Sequence, residues 1–171
     1  MTGQRLGWRA TGLLGVLAVL LADCGVATPG SGFATYHAPD GGWSIGYPPG
    51  WTVLPGTNVR ITAPAGDGYG EVTTTDMGTV LDRDTLVGLL LDRLRGQYGT
   101  SFALLARQEL SDGRTRADYR YAEGGTEYTA RLIVGQQGTV VHLLTLIATT
   151  AAADGYAATF QRMQDSYQTP R

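Results

Sequence analysis

Apolar and polar positions alternate in short runs over most of this chain, and glycine and proline cut the runs at close intervals. The alternation predicts extended segments at 33–38, 43–47, 51–54, 58–62 and 71–77, with Pro39-Asp40-Gly41-Gly42 turning the first into the second. Pro48-Pro49-Gly50 and Pro55-Gly56 bound the third segment on its two sides, and 64–70 reads as a loop. The period then lengthens. Residues 82–98 predict a helix with Asp82 or Asp84 as its cap and Leu86, Leu89, Leu90 and Leu94 as its apolar stripe. Four further strands come next, at 102–110, 114–122, 126–134 and 139–148. Residues 151–168 predict a closing helix, because Tyr156, Phe160, Met163 and Tyr167 recur on one stripe.

The connections within the four-strand stretch are Asp112-Gly113, Gly124-Gly125 and a longer piece over 135–138. The first two suit two-residue hairpin turns. That register sets Glu109 opposite Arg116, Arg107 opposite Asp118, and Asp118 opposite Arg131. One face then carries Arg107, Arg116, Arg120 and Arg131 with Asp118, Glu109 and Glu127. The other carries Phe102, Leu104, Ala106, Ala117, Tyr119, Tyr121, Tyr128, Ala130, Leu132 and Val134. The expectation is an antiparallel meander with one buried face, on which the closing helix packs with Tyr119 near Phe160 or Met163. The charged face is either a salt-laced solvated surface or a docking surface for an acidic or polar partner. The fold class is therefore α+β: a four-stranded C-terminal meander plus short N-terminal strands, packed with two main helices.

The N-terminus has a different character. Arg5 and Arg9 precede an apolar stretch over 13–22, and the chain's one cysteine, Cys24, comes directly after Asp23. A basic segment followed by ten apolar residues is a secretory signal, too short for a comfortable membrane span. Leu21-Ala22-Asp23-Cys24 resembles a lipobox, with Asp23 where a small residue is usual. The resemblance implies a lipid on Cys24 that ties the chain to a membrane. The organisation expected is a signal peptide over 1–23, lipidated Cys24 with a flexible linker over 24–32, and one domain over 33–171. This places the domain outside the cytoplasm, at the cell envelope.

Composition narrows the function classes. Beyond Asp23 the chain has 11 arginines, no lysine, and 14 acidic residues. That balance gives no electrostatic footing for nucleic acid. A single cysteine excludes an internal disulfide and a multi-cysteine zinc site.

Several motifs invite chemistry. Gly42-Trp43-Ser44-Ile45-Gly46 fits the G-x-S-x-G pattern of a hydrolase with Ser44 as nucleophile, but Tyr47-Pro48-Pro49 denies it the helix a nucleophile elbow requires. His37 and His142 have no spaced carboxylate, and Ser44 is expected well apart from both; His142 is expected on the charged face near Arg131. Gly66, Gly68 and Gly70 alternate, but no phosphate-loop lysine accompanies them. Trp43, Tyr47 and Trp51 form either an aromatic recognition patch or one end of the core. No catalytic, cofactor or metal residues are assigned.

The stretch from Tyr36 to Trp51, YHAPDGGWSIGYPPGW, carries a Tyr, a turn, Gly-Trp-Ser-Ile, Tyr-Pro and Gly-Trp. It resembles the opening signature of the PsbP-like superfamily, which includes photosystem II PsbP, Mog-type Ran-binding proteins and LpqN-type bacterial lipoproteins. The element order over 33–168 is similar as well. This resemblance implies a non-catalytic binding or accessory domain, an adaptor with a protein partner in a membrane-bound complex. The alternative is a carrier of a hydrophobic ligand such as a lipid, held between sheet and helices.

Overall fold

Strand alternation and turn glycines produce a long antiparallel sheet. The structure, a computed structural model, describes residues 32–169, all within one compact unit. Among the described residues nine strands form: β1 (Ala34–His37), β2 (Ser44–Tyr47), β3 (Thr52–Leu54), β4 (Asn58–Thr62), β5 (Gly68–Asp76), β6 (Ala103–Glu109), β7 (Thr115–Glu123), β8 (Thr126–Gln137) and β9 (Val140–Thr149). Helix α1 (Arg83–Tyr98) separates β5 from β6, and α2 (Ala153–Ser166) closes the chain. Seven strands make one sheet in the order β3-β4-β5-β9-β8-β7-β6, while β1 and β2 pair separately.

The meander β6–β9 is present as expected, and β5 joins it by pairing along β9. Strand β5 begins at Gly68, inside the stretch that reads as a loop. The alternating glycines are the reason. A Cβ on Gly68 would stand 2.8 Å from the Tyr156 ring, and one on Gly70 would stand 2.8 Å from Met163 Cε. Bare backbone lets α2 lie close on this strand.

The two sheet faces carry two cores. Leu86, Val87 and Leu91 of α1 pack on Ala117, Tyr119, Tyr121, Ala130, Leu132, Val134, Val141 and Ile147. Phe160, Met163 and Tyr167 pack on Ile61, Val72, Ile133, Leu144 and Leu146, with Trp43 and Ile45 of the β1–β2 hairpin. The stripe read for the closing helix is therefore right but its landing face is not. Tyr119 meets Phe102 and Tyr121 on the α1 face, and α2 covers the opposite face. Both faces are buried because β8 and β9 are apolar on both sides, a pattern a one-sided meander would not need. Within α1, Asp82 is the cap, its carboxylate accepting from Thr85 N, and Leu89 points outward at 55% exposure.

Candidate interaction site

Two hairpin turns decide which charges meet. Gly124 and Gly125 both have positive φ, the primed two-residue turn, and Asp118 pairs with Arg131 as expected. The first hairpin differs. Leu110 N donates to Arg114 O at 2.8 Å, Gly113 N to Leu110 O at 3.0 Å, and Gly113 has φ +85°. The loop is thus three residues, Ser111 to Gly113, a turn closed by a left-handed glycine. One extra loop residue moves β6 by one position, so Arg107 faces Ala117 and Glu109 faces Thr115. Both side chains turn to the α1 side, where Arg107 binds Asp84 and Glu109 binds Arg83. The expected row of Arg107, Asp118 and Arg131 does not form.

On the α2 face, Asp118 is held between Arg116 and Arg131. Arg116 Nε donates to both its oxygens at 3.0 and 2.9 Å, and Arg131 Nε donates at 3.1 Å. Arg131 Nη1 then reaches Gln161 Oε1 and Gln164 Oε1 of α2. Burial opposes ionisation of Asp118, but hydrogen bonds from the two guanidiniums outweigh it and hold the carboxyl below the usual carboxylate range. The charged group is therefore largely internal: it ties β7 and β8 to α2, and only Arg120 of the expected set stands exposed here. Beside it runs an open cleft of about 300 Å³ between β6 and α2, with Leu105, Ala106, Ala157 and Phe160 among its walls and Asp118 and Arg131 at its floor.

The other sequence motifs find these places. Ser44 is directly paired with His37, contrary to the expected separation, because the β1–β2 turn closes at Pro39–Gly42. No hydrogen bond joins the two side chains among the described residues, and Ser44 lies in a strand whose backbone bridges Gln168 at 2.9 Å. His142 shares the Arg131 face but sits opposite Gly135, buried, with Thr74 Oγ1 3.5 Å from Nδ1. Desolvation lowers its pKa, partly countered by the charge of Asp40. Trp43 packs on Tyr36 and Tyr167, and Trp51 on Tyr156 and Phe160, so these aromatics close a core. Among the described residues no three His, Cys, Asp or Glu side chains gather as a metal site. Cys24 and the signal segment lie outside the described residues.

A seven-stranded antiparallel sheet with a helix on each face, and an N-terminal hairpin lodged beside the closing helix, is the PsbP-like α+β fold. Among solved structures it is similar to cyanobacterial PsbP (CyanoP) from Synechocystis sp. PCC 6803, with a TM-score of 0.64 and 17% identity over 88% of this chain and 99% of that one. It is also similar to PA94 of Pseudomonas aeruginosa, described as a putative regulator, at 0.57 and 17% over 82% and 98%. LpqN of Mycobacterium tuberculosis, involved in cell envelope biogenesis, corresponds more loosely at 0.48 and 16% over 80% and 90%, and adds nothing to the fold assignment. No family model matches the sequence, and no curated protein does.

Proposed function

We propose that this chain is an exported lipoprotein, anchored through Cys24, whose PsbP-like domain is a non-catalytic accessory module binding a protein partner at the membrane. The observation that carries the reading is the pair of filled cores. Each face of the sheet is packed by side chains of its own helix, and the surface clefts are open rather than enclosed. A carrier of a hydrophobic ligand needs an interior apolar cavity, which such packing does not provide. An enzyme needs convergent nucleophile, base and oxyanion donors. Ser44 and His37 are cross-strand neighbours, but Ser44 sits within strand β2 and not at the strand-to-helix turn of a nucleophile elbow.

The test has two arms. Cells expressing the wild type should incorporate labelled palmitate and retain the protein in washed membranes, while Cys24→Ala should do neither. An unlabelled wild type would remove the anchor. Cross-linking in intact cells should give a discrete adduct of reproducible mass. A monomer-only pattern, with lipid recovered by solvent extraction of the purified protein, would instead make it a carrier.

A further inference from the structure

We propose that the free edge of β6 is a docking strand that takes an extended segment of a partner protein as an eighth strand, the segment carrying an acidic residue two positions from a large apolar one. This rests on the accessory-module reading and names its surface.

The sheet has two edges, and they are treated differently. Strand β3 is three residues long and lies between Pro48-Pro49 and Pro55. Short length and flanking prolines are the usual protection of an edge. Strand β6 has seven residues, every one exposed, without proline, and it shows Leu104 at 40% and Leu105 at 49% exposure beside the charges of Arg107 and Glu109. Its outward hydrogen-bonding groups are set by the hairpin. Leu110 and Arg114 form a hydrogen-bonded pair, so alternation turns the amides of Gln108 and Ala106 toward β7 and those of Arg107 and Glu109 outward.

A bulge between Leu104 and Ala106 then shapes the edge. Leu104 lies opposite Tyr119 on the α1 side, while Leu105 joins Ala106 in walling the α2-side cleft. Bulges re-aim side chains in this way. An incoming strand would therefore find apolar contacts on both of its faces: Leu104 on one, and Leu105 with Ala157 on the other.

Charge selects the occupant. Arg120 lies exposed on the α2 face opposite Ala103 and lines a small surface cleft with Ala103 and Glu127. Arg116 and Arg131 are engaged with Asp118, but Arg120 makes none of the ion pairs among the described residues. An acid on the incoming strand beside Ala103 meets Arg120, and an apolar residue two positions on meets Leu105 and the cleft. A second copy of β6 does not supply this. Its α2-side residues are Ala103, Leu105, Ala106 and Gln108, and its Glu109 is held by Arg83 on the other face.

The probe is the peptide Thr-Val-Thr-Glu-Val-Leu-Val-Thr-Thr added to the detergent-solubilised full chain, with amide exchange read by NMR. The peptide should protect the amides of Arg107 and Glu109. Replacing its Glu by Lys should weaken binding about threefold or more, the scale of one cross-strand ion pair. Arg120→Glu should invert that preference. Arg107→Pro, which removes an outward amide together with the Arg107–Asp84 ion pair, should keep the native spectrum elsewhere and lose the peptide, while Arg107→Ala, which removes only the ion pair, should retain it.

No protection at millimolar peptide, protection at β3, or an unchanged preference in Arg120→Glu would overturn the proposal. So would a dimer that Arg107→Pro dissolves. A cellular cross-link mapped elsewhere on the domain would overturn the edge while leaving the accessory reading intact.

Discussion

Replacing Asp118 by Ala tests whether the half-buried charge group holds α2 to the sheet. The side chains of Arg116, Asp118 and Arg131 are 23%, 21% and 18% exposed. Exposed ion pairs contribute about 0.2–1 kcal/mol, and breaking a fully buried one costs about 3–5 kcal/mol. A group one-fifth exposed falls between, so Asp118→Ala should cost about 2 kcal/mol, part of it from two guanidiniums left facing each other. Asp118→Asn keeps the shape and loses the charge, and should cost about half as much. Tyr119, the next residue, is 2% exposed against Phe102 and Tyr121. Its truncation to Ala should cost about 3–5 kcal/mol. Urea unfolding of the three variants should rank Tyr119→Ala above Asp118→Ala above Asp118→Asn. The acid response supplies a second check. The folded-state pKa of Asp118 is depressed, so its contribution is complete above the unfolded carboxylate value of about 4 and is lost as pH falls through the lower folded value. The gap between wild type and Asp118→Ala should narrow progressively as pH falls below the unfolded carboxylate value of about 4. An Asp118→Ala protein as stable as wild type, or a gap undiminished in acid, would refute the reasoning.

Gly68→Ala should destabilise by about 1–3 kcal/mol, because its Cβ meets a Tyr156 ring that Asp67 Oδ1, Trp51 and Phe160 hold in place. Gly70→Ala meets only the flexible end of Met163 and Leu146 Cδ2, so thermal melts should show the smaller loss, with Tyr156→Ala rescuing Gly68→Ala alone. His142, buried and with a lowered pKa, binds its proton better in the unfolded chain. Stability should therefore fall as pH drops from about 7 through the unfolded histidine value of about 6.5, and His142→Gln should flatten that slope. Equal slopes in the two proteins would show that another group titrates.

The parts legible in the sequence were those set by local chemistry. Strand β4 spans Asn58–Thr62 as read, Asp82 caps α1, and Gly124-Gly125 sets the β7–β8 register. One failure was local too, the three-residue loop Ser111 to Gly113 that displaced the β6 register, and the rest depended on contacts far along the chain. Gly68 and Gly70 look like loop glycines until α2, at the other end of the domain's sequence, is laid on them. His37 and Ser44 look unrelated until the hairpin pairs them. Arg131 and Asp118 read as surface charges because nothing local shows that Gln161 and Gln164 cover them. The polar stripe of β7 still carried a signal. Its partners on β8 include Ile133, and Leu144 and Leu146 face the same way, too apolar for a solvated face.

One loop residue connects the lost charge row to the properties of the edge. A two-residue turn at Asp112-Gly113 would place Arg107 and Glu109 on the α2 face, in reach of Asp118 and Arg116. Charge would then cover the outer sheet beside the cleft. The three-residue loop sends both to α1, where Asp84 and Arg83 neutralise them. The α2 side of β6 keeps only small, apolar or uncharged residues: Ala103, Ala106 and Gln108, with Leu105 added by the bulge. Arg120 faces Ala103 on β6 and Thr129 on β8, and lines a small surface cleft with Glu127 of β8. The same change of register that takes Arg107 away from the expected charged face leaves the α2 side of the edge uncharged beside Arg120. Shortening the β6–β7 loop by one residue, by deleting Ser111, should return Arg107 toward Asp118. If the fold accepts the deletion, native exchange protection should persist in β7 and β8 while the edge loses its preference for an acidic strand. Retention of that preference would mean that Arg120 and Leu105 do not set it.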